Sequence, residues 1–211
     1  MEEILIEDKG IMNITLIDKY VLRIFEKNGW YPNRQFEYAD KWIKEIEKMG
    51  YYCFDYAKRI VCELGGLTFK EYAPMTYLNM VALQEKKMEQ LPKMKISAEI
   101  KNKCEAACQI LQEFHMISKA SNYNGAAFAF NALEAALDND IVMNIEAATK
   151  IIGDKIFPIG SIEPDGIMYV TPKRTIYVLF NESIFYSGGC IEEAINSLFL
   201  KSLNPRLIYH S

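Results

Sequence analysis

Phe157-Pro158-Ile159-Gly160, with the runs Ile167–Val170, Thr175–Phe180 and Ile184–Tyr186 behind it, decides the fold class. These runs are short and β-rich, and the turn-prone Thr171-Pro172-Lys173-Arg174 separates two of them. Ser187-Gly188-Gly189 then leads into a helix-like segment, Ile191–Leu200. Parallel strands need a crossover of about a dozen residues or more, and the gaps here are too short for one. The C-terminal third therefore predicts an antiparallel sheet closed by a helix.

The chain ahead of it is helical. Ile17, Val21, Ile24 and Phe25 fall on one helix face, ended by Asn28-Gly29. Ala39, Trp42, Ile43 and Ile46 repeat the spacing before Gly50, and Phe54, Ala57, Val61 and Leu64 repeat it before Gly65-Gly66. Further on, Ala127–Phe130 predicts a short strand. Asn131 can cap a helix through Asp138, and Asn144 a second through Ile152, closed by Gly153. Helices set apart from a run of strands give an α+β class: N-terminal helices and a C-terminal helix packed on an antiparallel-dominated sheet drawn largely from residues 126–187.

Four motifs stand in order along this plan. They are Gly29-Trp30-Tyr31-Pro32-Asn33-Arg34, Glu63-Leu64-Gly65-Gly66-Leu67, Pro158-Ile159-Gly160, and the stretch from Gly189 through Glu192-Glu193-Ala194-Ile195 to Leu198. The set resembles the SUKH superfamily, most closely its third subfamily of bacterial immunity proteins. There a GW-x-P-x-R element, an EFGGL-like helix end, a PIG strand and a G-x-x-x-EAI-x-x-L closing helix recur in this order. The resemblance covers residues 15–70 and 126–200. It implies a single SUKH-like domain over 1–211 with a helical insertion at about 74–124, because the family joins its GGL and PIG elements by a shorter connection. It also implies a non-enzymatic protein that binds and neutralises a cognate toxin domain of a bacterial polymorphic toxin system. The family's partners include nucleases and deaminases. Other branches of the superfamily include scaffold-like regulators, so a regulatory protein-interaction module is the alternative. A thiol- or metal-dependent hydrolase built on the insertion is a third.

Bulk properties narrow the classes. Half of the 211 residues are hydrophobic and a quarter charged, ordinary values for a soluble domain with a real core. A net charge of −4 argues against general nucleic-acid binding. The acidic start Met1-Glu2-Glu3-Ile4 has no apolar run behind it, and no stretch reaches the length of a membrane span. Five cysteines form an odd set without a disulfide framework, which fits a reducing cytoplasm.

Catalytic and metal constellations are weak. Cys104, Cys108 and His115 share a helix surface, yet His115 stands roughly 10 Å along the axis from Cys108. One zinc ion, with bonds near ~2 Å, does not span that distance, and seam packing explains the cysteines better. Ser187-Gly188-Gly189-Cys190 ahead of a helix has the look of a phosphate cradle, but Glu192 and Glu193 follow it where a cradle needs Lys and Ser or Thr. Glu163-Pro164-Asp165-Gly166 is first a turn, and neither His115 nor His210 has a fixed partner. No cofactor and no metal is expected. The aromatic-rich set Trp30, Tyr31, Trp42, Tyr51 and Tyr52 reads as core packing, with exposed members able to anchor a protein partner.

Charge gives the pointer to a partner. From Asn131 to Asp165 seven acidic residues stand against Lys150 and Lys155. Within that run, Glu134, Asp138, Asp140 and Glu146 are the candidate partner-binding residues. A solvated helix face is the simpler explanation of them. An acidic surface would also suit a toxin with a basic cleft.

Overall fold

The apolar spacing of the first third forms three helices: α1 (Lys19–Lys27), α2 (Ala39–Lys48) and α3 (Asp55–Leu64). In this computed structural model the described residues are 10–69, 128–142, 145–162, 166–180, 183–200 and 206–210. The expected insertion at 74–124 lies outside them, with Cys104, Cys108 and His115, and so do Asn144, Glu163 and Asp165. Asp18 caps α1, its carboxylate accepting the Tyr20 N–H at 2.7 Å. Gly29 ends the helix at φ +90°, a conformation that side chains resist. Val21, Ile24 and Phe25 on α1, Trp42, Ile43 and Ile46 on α2, and Ala57, Val61 and Leu64 on α3 are all buried.

Among the described residues seven strands make one sheet whose spatial order follows the chain. They are β1 (Thr68–Phe69), β2 (Phe128–Ala129), β3 (Phe157–Ile162), β4 (Gly166–Val170), β5 (Ile176–Phe180), β6 (Ser183–Gly188) and β7 (Arg206–His210). Every neighbouring pair is antiparallel. Two helices, α4 (Ala132–Val142) and α5 (Ile145–Ile152), precede β3, and α6 (Ile191–Phe199) follows β6. Helix α4 packs on β3 and β4, and α6 packs on β6. The α+β architecture is therefore as expected.

Phe25 of α1 meets Phe69 of β1 at 4.6 Å, Phe69 stacks on Phe128 of β2 at 5.5 Å, and Phe199 of α6 closes edge-on against Phe69 at 5.3 Å. Such pairs add about 0.5–1.5 kcal/mol each beyond their burial. One aromatic cluster thus ties both ends of the described chain to the first two strands. Gly160 is required where β2 crosses β3: a Cβ there would overlap the Ala129 carbonyl oxygen.

Three elements differ from expectation, the two-residue strand β1 among them. Helix α4 runs to Val142 rather than ending at Asp138, since no Gly or Pro between 138 and 142 stops it. Strand β7 was not anticipated. After the closing helix the chain returns to add Arg206–His210 beside β6 as a final strand.

Candidate partner-binding surface

The first two motifs converge on one carboxylate. Glu63, near the end of α3, is only 5% exposed. Its oxygens accept the Ile11 N–H at 2.7 Å and the Trp30 indole N–H at 3.1 Å, and the Asn33 N–H also donates to it. Arg34 reaches the same helix end, donating to the Glu63 carbonyl at 3.0 Å and the Gly65 carbonyl at 2.7 Å. Burial lifts the Glu63 carboxyl above its usual range, against the pull of these donors and of Arg59. Burial likewise lowers Arg34, opposed by Tyr31 and by Glu63. Trp30 and Arg34 are thus scaffold residues, as their places in the motif imply. They fix the loop after α1 to the end of α3, while Glu63 itself anchors the segment from residue 10.

The closing helix holds the next part of that segment. Glu192, 6% exposed, accepts the Asn13 N–H at 2.7 Å. One turn on, Asn196 accepts the Asp18 N–H at 3.0 Å and donates to the Leu16 carbonyl at 2.8 Å. Glu193 accepts the Gly189 N–H at 2.8 Å, so a carboxylate already occupies a donor that a phosphate cradle would need. The Gly188-Gly189 turn is a helix start with acidic residues well placed against the dipole.

The described cysteines are free and half-buried. Burial raises the Cys53 thiol to about 12 and the Cys190 thiol to about 11, and it also raises Cys62. A protonated thiol is a poor nucleophile and a poor metal ligand. Among the described residues no group of three His, Cys, Asp or Glu side chains could hold a metal ion. No helix among them is long and apolar enough to cross a membrane.

The structure separates the four acidic candidates. Glu134 belongs to a helix start: Asn131 Oδ1 accepts the Glu134 N–H at 3.2 Å, and Asn131 Nδ2 donates to Glu134 Oε2 at 2.6 Å. Asp138 follows one turn later on the same face of α4 and is exposed. Asp140 lies on α4 two residues beyond it, and Glu146 is exposed in the first turn of α5. Of the aromatic set, Trp30, Trp42 and Tyr51 are buried, whereas Tyr31 and Tyr52 stand in solvent. Sequence reasoning missed the cations that cover the exposed Tyr52 and the half-buried Tyr56. Lys155 sits 4.2 Å from the Tyr52 ring centroid and Arg174 sits 5.1 Å from that of Tyr56, each pairing across about a hundred residues of chain.

No curated protein and no solved structure matches the chain. The family model of the SUKH-3 immunity protein matches residues 17–201, which takes in all four motifs and every described helix. The chain belongs to the SUKH-3 immunity protein family.

Proposed function

We propose that this protein binds a cognate toxin domain of a bacterial polymorphic toxin system and neutralises it by occlusion, without catalysis, in the cytoplasm of the cell it protects. The family match over residues 17–201 carries the reading. One observation agrees with it: the closing helix uses its own carboxylate on the Gly189 N–H that an anion would need. We assign Asp138 and Glu146 to the toxin-facing surface, with Asp140 beside them and Glu134 supporting the helix start. Exposed carboxylates attract the basic cleft of a toxin that works on nucleic acid.

Co-purification of this protein with the products of its neighbouring genes tests the proposal. One of those products should be toxic when expressed alone, should form a stable complex with this protein, and should lose its toxicity on co-expression. Co-expression that relieves toxicity without any complex would point to enzymatic detoxification and reject the proposal.

A further inference from the structure

One end of the sheet gathers positive charge over aromatic rings. Strand β3 begins there, β4 turns into β5 there, β6 ends there and β7 begins there. Lys155, ahead of β3, lies over Tyr52, which is 59% exposed. Arg174, in the β4–β5 turn, lies over Tyr56 of α3. Arg206, first in β7, lies 5.4 Å from the Tyr186 ring centroid. Tyr169, Tyr177, Tyr186 and Arg206 are cross-strand partners in succession, so they form one row on one face of β4 to β7. Exposure grows along that row, from the buried Tyr169 through two half-buried tyrosines to the exposed Arg206. Tyr177 and Tyr186 meet edge to face at 6.1 Å. All four cations at this end (Lys155, Lys173, Arg174, Arg206) are exposed. Of the nearby acids, Asp154 pairs with Lys173 at 3.5 Å, Glu192, which also acts on Tyr56, accepts the Asn13 N–H, and Glu193 holds the Gly189 N–H.

The turn that carries Arg174 is unusual. The Thr171 N–H donates to the Thr175 carbonyl at 3.0 Å, and the Arg174 N–H donates to the Thr171 carbonyl at 2.9 Å. This closes a hairpin in which Arg174 takes φ +70°, a left-handed position where glycine or asparagine fits best. Among the described non-glycine residues only Asn33 also has positive φ, and asparagine tolerates it. An arginine at such a position costs stability that glycine would not; its contact with the Tyr56 ring offsets part of that cost, and its guanidinium stays exposed at the rim. Tyrosine and arginine are also the side chains that dominate binding hot spots.

We propose that this end of the sheet, through Lys155, Lys173, Arg174 and Arg206, docks an extended carboxylate-rich segment of the toxin. That the occupant is the toxin rests on the immunity reading; the charge complementarity at the rim does not. The rim adds a second contact surface to the acidic residues of α4 and α5, and it is opposite in sign to them.

Arg174→Gly is the decisive variant, because the backbone strain that glycine relieves at φ +70° offsets the lost contact with Tyr56. It should melt close to the wild type, which separates loss of binding from misfolding, yet weaken the toxin complex about tenfold, with Arg174→Lys restoring much of the loss. In parallel, a short polyglutamate peptide titrated into the wild-type protein should shift amide resonances of Lys155, Lys173, Arg174 and Arg206. The shifts should shrink in Arg174→Gly, and oligothymidylate should not reproduce them. Unchanged toxin affinity in a folded Arg174→Gly variant, or peptide shifts located elsewhere, would overturn the rim as a docking site. Tighter binding of oligothymidylate than peptide at these residues would overturn a protein occupant in favour of nucleic acid. A wild-type protein that takes the peptide on the rim but binds no toxin would sink the immunity reading and leave the cationic rim standing as an anion-binding surface.

Discussion

Glu63 shows how one side chain can carry two motifs. It joins the loop after α1 to the end of α3 and holds the Ile11 N–H, and Gly10 has no room for a Cβ, which would come within 2.8 Å of the Glu63 carboxylate. In Glu63→Gln one accepting oxygen becomes an NH2 group facing a donor, so stability should fall by about 1–3 kcal/mol. The pH dependence should change as well. Burial raises the folded pKa above the unfolded one, so the folded state binds the proton more tightly. Its contribution is full below the unfolded pKa and disappears as pH rises through the folded pKa. Denaturant midpoints taken from about pH 4 to about pH 7 should therefore show the wild type losing stability relative to Glu63→Gln as pH rises; a constant difference would refute the assignment. Gly160→Ala should cost about 1–3 kcal/mol by overpacking, because the Ala129 carbonyl is backbone and cannot swing aside; a melting temperature within error of the wild type would refute it. The motif residues themselves were legible in the sequence. Their convergence was not, since Trp30 and Glu63 are neighbours only in space.

At the scale of elements, α6 acts as both lid and clamp. Ile191, Ala194, Ile195 and Leu198 are buried, while Glu192 and Asn196 on the same helix grip residues 13–18. Asn196→Ala removes two hydrogen bonds in a largely solvated setting, with an expected cost of about 1–2 kcal/mol. Hydrogen exchange at the Asp18 amide should accelerate about tenfold while the α2 core amides keep their protection. Equal acceleration throughout would mean that the clamp and the core open together. The helix was readable from its apolar spacing, but its partners lie nearly the whole chain away and no local pattern encodes them. Strands β1 and β7 were missed for related reasons. Two residues, Thr68 and Phe69, leave no periodicity, and Leu207-Ile208-Tyr209 has no turn linking it to β6. The hairpins from β3 to β6 were readable because turn residues and β-rich runs adjoin there.

Across the whole molecule a net charge of −4 conceals two regions of opposite sign. The acidic one was visible in the sequence because its members are close in the chain. The basic one is assembled from residues near 155, 174 and 206, so only folding brings it together. Helix α5 links the two, with Glu146 in its first turn, Lys150 in its last and Lys155 just beyond. Charge of this kind acts mainly on the rate of encounter, because fields reach past contact distance in dilute salt and are screened over about 8–10 Å near physiological ionic strength. Glu134 is unsuited to a reversal test, since its carboxylate belongs to the α4 start and its loss would perturb folding. The paired reversal Asp138→Lys and Glu146→Lys acts on the two exposed carboxylates instead. A thermal melt should show the variant still folded at the assay temperature. Stopped-flow association with the toxin should slow several-fold in dilute buffer, and the deficit should fade as salt is added. Dissociation should change little, because steering acts before contact. Association equally fast at low salt would show that these carboxylates only solvate their helices, leaving the basic end as the charged surface that meets the toxin.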